Sequence, residues 1–292
     1  MIIVDATQIS VASLMVAHKQ GNLDDEQFVR HVILNSYRNI LNKFKKDYGP
    51  TMFLCYDGTN NWRKEFFPEY KANRKHKRDS DDLDWNQLFG WMHQIKDEIE
   101  ENFPYRVLHV DGCEADDSIA VLCQEWAGYR APHGNIVIVS SDGDFVQLHN
   151  EYVKQYNPML KKWVEHNEKN DLQRKIYYGD TGDGVPNILS DDKVFVEGRR
   201  QTPLSKKRFA EWKQFEPKKV LSETLYRNYC RNEMMIDLTK QPEAVVNNIK
   251  SHYVGKQVKG HNSMILDYLI TKRLGTLQEN VQDFFVDIPE TI

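Results

Sequence analysis

The N-terminal half of the chain alternates short apolar runs with longer stretches whose apolar positions recur at helical spacing. Residues 1–5 (MIIVD), 51–57 (TMFLCYD), 105–111 (YRVLHVD) and 135–142 (NIVIVSSD) are nearly continuous apolar runs of strand length. Such runs predict strands buried on both faces. Between the first two, Phe28, Val32, Tyr37, Ile40, Leu41 and Phe44 recur at helical spacing. Asp24 or Asp25 can cap that helix, predicted over 24–48, and Gly49 with Pro50 ends it. Further helices are predicted over about 84–101 and over EADDSIAVLCQEWAG, from Glu114. This alternation predicts an α/β protein: a mostly parallel, twisted sheet with helices on both faces. EYVKQYN and KKWVEH predict a short hairpin at its edge. After about residue 167 helical periodicity dominates, with helices expected near 168–178, 205–214, 220–236, 241–253 and 260–270. The stretch 184–204 has no period and receives no element. The expected division is an α/β core over 1–178, with a basic region at about 63–84, and a helical portion over 179–292.

Nine acidic residues fall at or near the ends of these runs, in IIVDAT, LCYDGT, GCEADDSIAV, VSSDGDF and GDTGDG. They are Asp5, Asp57, Glu114, Asp116, Asp117, Asp142, Asp144, Asp180 and Asp183. A buried strand that stops on a carboxylate delivers it to one edge of the sheet, where ligands bind in open α/β folds. Any one of these acids alone reads as a cap or a surface charge, and Glu114 to Asp117 also suit a helix first turn. Five such phrases together point to a shared site. Carboxylates crowded at one edge repel one another unless cations neutralise them. Hard divalent ions with oxygen ligands, Mg²⁺ or Mn²⁺, are the natural partners. Two such ions about 3.5–4 Å apart form a clamp for in-line phosphoryl displacement and need no His or Cys.

Composition narrows the class. The 292-residue chain is 40% hydrophobic and 28% charged, ordinary for a soluble globular protein. It has no apolar run of membrane-spanning length, and MIIVDATQIS reads as a strand rather than a signal peptide. Four scattered cysteines without CxxC spacing fit a reducing cytosol, so a cytoplasmic location is expected. Cys113, beside Glu114, reads either as a nucleophile without an evident partner or as a buried thiol. The net charge of −4 conceals two basic segments. Residues 63–78 carry seven Lys/Arg against two acids, and 199–219 carry eight against two. An acidic body with two basic segments suits a polyanion held at two places around a metal-filled centre.

Taken in order, Asp5, Asp57 followed by WRKEFFPEYKANR, EADD at 114–117, SSDGDF at 140–145 and GDTGDGVPN at 179–187 resemble the 5′-nuclease (flap endonuclease) family. The likeness is greatest to the RNase H-type 5′ nucleases of T-even-like bacteriophages, and it continues through NPMLKKWV and VEGRRQTP. The resemblance implies a PIN-like nuclease core and a helix–turn–helix-type duplex-binding element after Asp183. It implies a first metal site from Asp5, Asp57, Asp116 and Asp142 with Glu114 nearby, and a second from Asp144, Asp180 and Asp183. Asp117 would be a shared ligand or lie behind the ligands. Lys71 and Arg74, with Arg63, would reach the scissile phosphate, Lys71 as the catalytic cation. Lys75 would add a contact, and residues 75–84 would lie in an arch around the 5′ single strand. Tyr70 either stacks on an unpaired base or packs in the core beside Phe66 and Phe67. Arg199, Arg200, Lys206 and Lys207 would hold duplex phosphates. The Gly-rich phrase of the wider family is replaced after GVPN by ILSDDKVFVEGRRQTPLSKK, a departure the phage subgroup shares.

The implied activity is a divalent-metal-dependent 5′→3′ exonuclease and flap endonuclease. Its substrates would be RNA primers on RNA–DNA hybrids and 5′ flaps of the lagging strand, and the chain would act as a monomer. A single-strand-binding protein is a candidate partner. A second is a sliding clamp, because Gln278, Val281, Phe284 and Phe285 in QENVQDFF have clamp-peptide spacing. The alternative for that segment is packing back onto the helical portion. Two other functions compete. A PIN-type single-strand ribonuclease shares the acidic edge but not YKANR or GDTGDGVPN. A catalytically silent DNA-binding protein would be expected to have lost some of the nine acids.

Overall fold

In the computed structural model, the residues described are 1–72, 83–127, 134–168 and 171–286. A six-stranded sheet has the order β3-β2-β1-β4-β5-β6. Its strands are β1 (Ile2–Asp5), β2 (Met52–Tyr56), β3 (Arg106–His109), β4 (Ile136–Val139), β5 (Val153–Asn157) and β6 (Lys162–Trp163). The first five pair in parallel, and β6 returns antiparallel to β5 as the edge hairpin. Strand order reverses between β1 and β4, so the crevice at their C-terminal ends is the ligand-binding position of an open sheet.

Side chains alternate between the two faces of each strand. Ile2, Val4, Met52, Leu54, Val107, Val137 and Val139 share one core with α1 (Ala6–Lys19), α2 (Glu26–Tyr48) and α4 (Trp85–Asn102). Ile3, Phe53, Cys55, Leu108, Ile136 and Ile138 share the other with α5 (Ala115–Trp126) and α10 (Glu243–Tyr253). Helix α2 is capped by Asp25, whose carboxylate accepts from the Gln27 and Phe28 amides, and it ends at Gly49 with φ 81°. Helix α1 was not foreseen. It starts directly on the strand-end Asp5, and its buried face includes Ser10, Ser13 and Ala17, so its apolar stripe is interrupted. Those hydroxyls are satisfied inside: Ser13 donates to the Ile9 carbonyl and Ser10 bonds Tyr37.

Helix α3 (Trp62–Phe66) is a single turn in the basic stretch. The remaining helices are α6 (Leu172–Tyr178), α7 (Lys206–Trp212), α8 (Pro217–Val220), α9 (Glu223–Ile236), α11 (Asn262–Thr271) and α12 (Gly275–Gln278). Ser222 caps α9 and splits the helix expected over 220–236 into α8 and α9. Between Asp183 and Lys206 the chain forms turns but no helix. The helix–turn–helix expected after Asp183 is therefore not formed there: a long loop runs from α6, which ends before Asp183, to α7. Asn187 closes that loop by donating to the Thr202 carbonyl and accepting from Ser190.

The clamp-peptide expectation is corrected by packing. Phe284 is fully buried in the first core, edge-on to Phe103 at 5.5 Å between ring centroids. Tyr105 donates to the Phe284 carbonyl, Val281 and Phe285 lie against the same core, and Gln278 donates to Leu269. A segment whose anchor side chain and polar handle are already used inside the fold is not a free docking peptide. Among the described residues no helix is long and apolar enough to cross a membrane.

Candidate active site

The C-terminal edge of the sheet collects the acids. Asp5 ends β1 and is nearly buried; its carboxylate accepts from the Gln8 amide and from Ser140. Asp57 follows β2, positioned by Thr7 accepting from its amide and by the Ala115 amide donating to its carboxylate. Gly58 must be glycine, because a Cβ there would lie 2.0 Å from the Val110 carbonyl oxygen. Asp142 and Asp144 follow β4, the first capping the turn Gly143–Leu148 and the second within it, with the Asp144 amide donating to Asp142. Gln155 from β5 donates to the Ser140 and Asp142 carbonyls and fixes that loop. Asp180 and Asp183 arrive on the loop after α6, where Asp180 accepts from the amides of Gly182 and Asp183.

The acids raise one another. Burial, then the charges of Asp57 and Asp142, push Asp5 up to about 7 against its hydrogen bonds. Burial and the charges of Asp5, Asp142 and Glu114 push Asp116 well above the carboxylate range. Burial and Asp142 push Asp144 up to about 6, although Lys175 opposes them. Burial also pushes Asp180 upward, but Lys175 and two backbone amides outweigh it and hold Asp180 below its ordinary value. As the side chains stand, no three of these acids among the described residues are arranged to grip an ion. Two lysines lie among them instead. Lys71 reaches Glu114 at 2.5 Å and Asp183 at 3.7 Å, and Lys175 contacts both Asp144 and Asp180.

Three of the expected roles change. Arg63 is buried, pairs with Asp117 at 2.8 Å and Glu114 at 3.4 Å, and donates to the Met235 carbonyl. A guanidinium so enclosed is not exposed to a phosphate. Asp117 is fully buried, taking bonds from Trp62, Arg63 and the Glu114 amide. With its oxygens committed to Arg63 and the α5 capping box, it lies behind the ligands and is not one of them. Tyr70 is buried with Trp62 and Phe67, and its hydroxyl, with one proton to donate, lies between Glu114 at 2.9 Å and Asp183 at 3.0 Å. Its ring is in the core, not on a base-stacking surface, while Phe66 is exposed. Cys113 is a buried thiol pushed up to about 12 by burial, which disqualifies it as a nucleophile. Lys71 adopts φ 56° and its amide donates to the Asp183 carbonyl, so an uncommon backbone conformation aims its ammonium at the acids. Arg74, Lys75 and most of the expected arch lie outside the described residues. Arg199, Arg200, Lys206 and Lys207 are exposed, Arg199 pairing with Asp191 and Glu197.

Two family models match the chain. Residues 1–177 match the 5′-3′ exonuclease N-terminal resolvase-like domain, and residues 167–284 match the T4 RNase H C-terminal domain. The chain belongs to the 5′-3′ exonuclease family. Ribonuclease H of Enterobacteria phage T4 is 33% identical over 97% of this chain and 95% of its own length. The flap endonuclease of Escherichia phage T5 is 26% identical over 53% of this chain and 57% of its length. Among solved structures, the T5 D15 protein co-crystallised with metal ions aligns with a TM-score of 0.56 at 18% identity, covering 97% of this chain and 98% of that one. A T5 D15 flap endonuclease complex with DNA and metal ions aligns with a TM-score of 0.54 at 20% identity, covering 93% and 98%. These relatives place the chain among the 5′ nuclease hydrolases and share its fold.

Residues that sequence reasoning missed in this 5′ nuclease are supports rather than acids. Ser140 and Trp62 donate to the carboxylates of Asp5 and Asp117, while Thr7, Gln8 and Gln155 hold the backbone at Asp57, Ser141 and Asp142. Lys175 is the other omission. The one available signal was its place five residues before Asp180, within the last turn of α6.

Proposed function

We propose that this 5′ nuclease is a divalent-metal-dependent 5′→3′ exonuclease and flap endonuclease that clears RNA primers and 5′ flaps in lagging-strand replication. One observation carries it. The switch-point edge gathers an all-carboxylate set in which burial, and then mutual repulsion, holds Asp5 near 7 and Asp144 near 6, so full ionisation there needs added positive charge. The donor chemistry fits Mg²⁺ or Mn²⁺, which prefer oxygen, over ions that prefer nitrogen or sulfur. Asp5, Asp57, Asp116 and Asp142, with Glu114 beside them, would hold one ion; Asp144, Asp180 and Asp183 would hold the other. When bound, such ions supply Lewis acidity, making hydroxide available at neutral pH and offsetting charge on the leaving oxygen.

The protein's own groups do the positioning. Lys71 holds an ammonium beside Glu114, where it can donate to a phosphate oxygen as charge develops. Tyr70 orients Glu114 and Asp183, and Arg63 with Asp117 fixes the start of α5 beneath them. Exposed Arg200, Lys206 and Lys207 offer a sequence-independent grip on duplex phosphates. In this reading residues 1–178 form the nuclease core and the segment from 179 to about 240 carries the duplex-holding surface, while the helices after 241 pack back on the core. The match of residues 167–284 to an RNase H C-terminal domain favours this activity over a PIN-type ribonuclease. Cleavage of a 5′-labelled flap and of an RNA–DNA hybrid, each with Mg²⁺ and with chelator, tests it. Both should be cut from the 5′ side with Mg²⁺ only; cleavage that persists in chelator overturns the metal requirement.

A further inference from the structure

Lys175 is held in place by three separate pieces of backbone. It lies in the last turn of α6, and its ammonium contacts Asp144, from the turn after β4, and Asp180, 3.1 Å away on the loop after α6. That loop is itself fixed. Gly179 turns it with φ 72°, where a Cβ would lie 2.3 Å from the Val185 carbonyl oxygen, and Asp180 pairs with Val185 across a short bridge. Lys175 and both carboxylates are shielded, with side-chain exposures of 18%, 19% and 23%. Lys206 and Lys207, by contrast, are exposed. Lys175 is turned inward onto Asp144 and Asp180, two of the three acids expected to hold the second ion.

We propose that Lys175 is a built-in counter-cation that shares the oxygens of Asp144 and Asp180 with the second divalent ion and must release them for that ion to bind. The inference rests on the two-ion reading above. An ammonium is monovalent and binds through hydrogen bonds at fixed donor angles, whereas a divalent ion draws the same oxygens in more closely. The lysine therefore limits repulsion between the acids at low metal concentration and sets a threshold that the ion must exceed. Lys175 is a positioning residue in this account, acting on the ligands and not on the substrate.

Titration calorimetry with Mn²⁺ and thermal melting test it on wild type, Lys175→Met and Lys175→Arg. Removing the competitor should tighten the weaker Mn²⁺ step by about tenfold, the scale of one charge-assisted contact. In chelator, Lys175→Met should melt below wild type, Lys175→Arg should melt close to it, and saturating Mn²⁺ should close the gap for Lys175→Met. Lys175→Gln, which keeps a donor without the charge, gives the same comparison should Lys175→Met not fold. Unchanged or weaker Mn²⁺ binding by Lys175→Met, or a melting deficit of that variant equal in chelator and Mn²⁺, overturns the proposal while leaving the two-ion reading intact. Absence of Mn²⁺ binding to wild type overturns both.

Discussion

Lys71 is the side chain on which the proposed chemistry depends most sharply. Its left-handed backbone costs energy that the Asp183 carbonyl contact helps to offset, and the result is an ammonium 2.5 Å from Glu114. A cation that acts mainly on developing charge should affect rate more than affinity. Lys71→Ala should therefore lower the single-turnover cleavage rate by at least ~10²-fold with little change in DNA affinity. A loss confined to binding would make Lys71 a simple phosphate contact. Arg63 gives the opposite kind of prediction. Removing it leaves Asp117 charged and buried without its partner, so Arg63→Met should destabilise the protein by about 3–5 kcal/mol, read by denaturant unfolding. Unaltered stability would return Arg63 to the surface role its sequence suggested. That role was the natural reading because Arg63 sits in a run of lysines and arginines, while its partner Asp117 is 54 residues away. The acids themselves were legible: Asp5, Asp57 and Asp142 end apolar runs, and the others gather in short acid-rich phrases. Their hydrogen-bonded supports were not, since an isolated Thr or Gln carries no periodic signal.

Elements were legible where one face is apolar and hidden where it is not. The four parallel strands with long apolar runs, helix α2 and the edge hairpin follow from period and capping residues. Helix α1 escaped because its buried Ser10 and Ser13 look polar, and only their internal partners reveal why burial is tolerated. Ionic ties between helices are equally silent in sequence. Glu98 on α4 accepts from Arg30 on α2 and from Tyr268 and Lys272 at α11. Burial disfavours its charge, but Arg30, Lys272 and Tyr268 outweigh that and hold it down to about 2. A depressed carboxylate contributes stability that is present above its unfolded value, near 4.3, and is lost as pH falls through about 2. Glu98→Gln should thus lower stability at pH 7 by about 2 kcal/mol, and the gap to wild type should close between about pH 4.5 and 2. A gap independent of pH would mean that shape, not charge, is what Glu98 supplies.

At the scale of the molecule, the helices after residue 241 return to the α/β core on both faces, α10 on one and α11 with Phe284 on the other. The sequence showed a clamp-like spacing in that last segment, but spacing alone cannot tell a free peptide from one whose aromatic residue is used at home. Phe284→Ala should open a cavity costing about 3–5 kcal/mol, lowering melting temperature and basal cleavage together. Retained stability with loss only of stimulation by a sliding clamp would restore the docking peptide. The charge layout has a similar logic: the chain is acidic overall, yet the basic segment 199–219, with exposed Arg200, Lys206 and Lys207, is distinct from the acid cluster, so binding and chemistry should separate as well. Asp142→Asn keeps the shape of a residue bonded by the Asp144 amide while removing one charge from the acid cluster. The most direct measurement is single-turnover cleavage of a 5′-labelled flap by Asp142→Asn in Mg²⁺, with flap affinity measured on the same preparation. The account predicts loss of cleavage with affinity equal to or tighter than wild type, and normal turnover in that variant would contradict it.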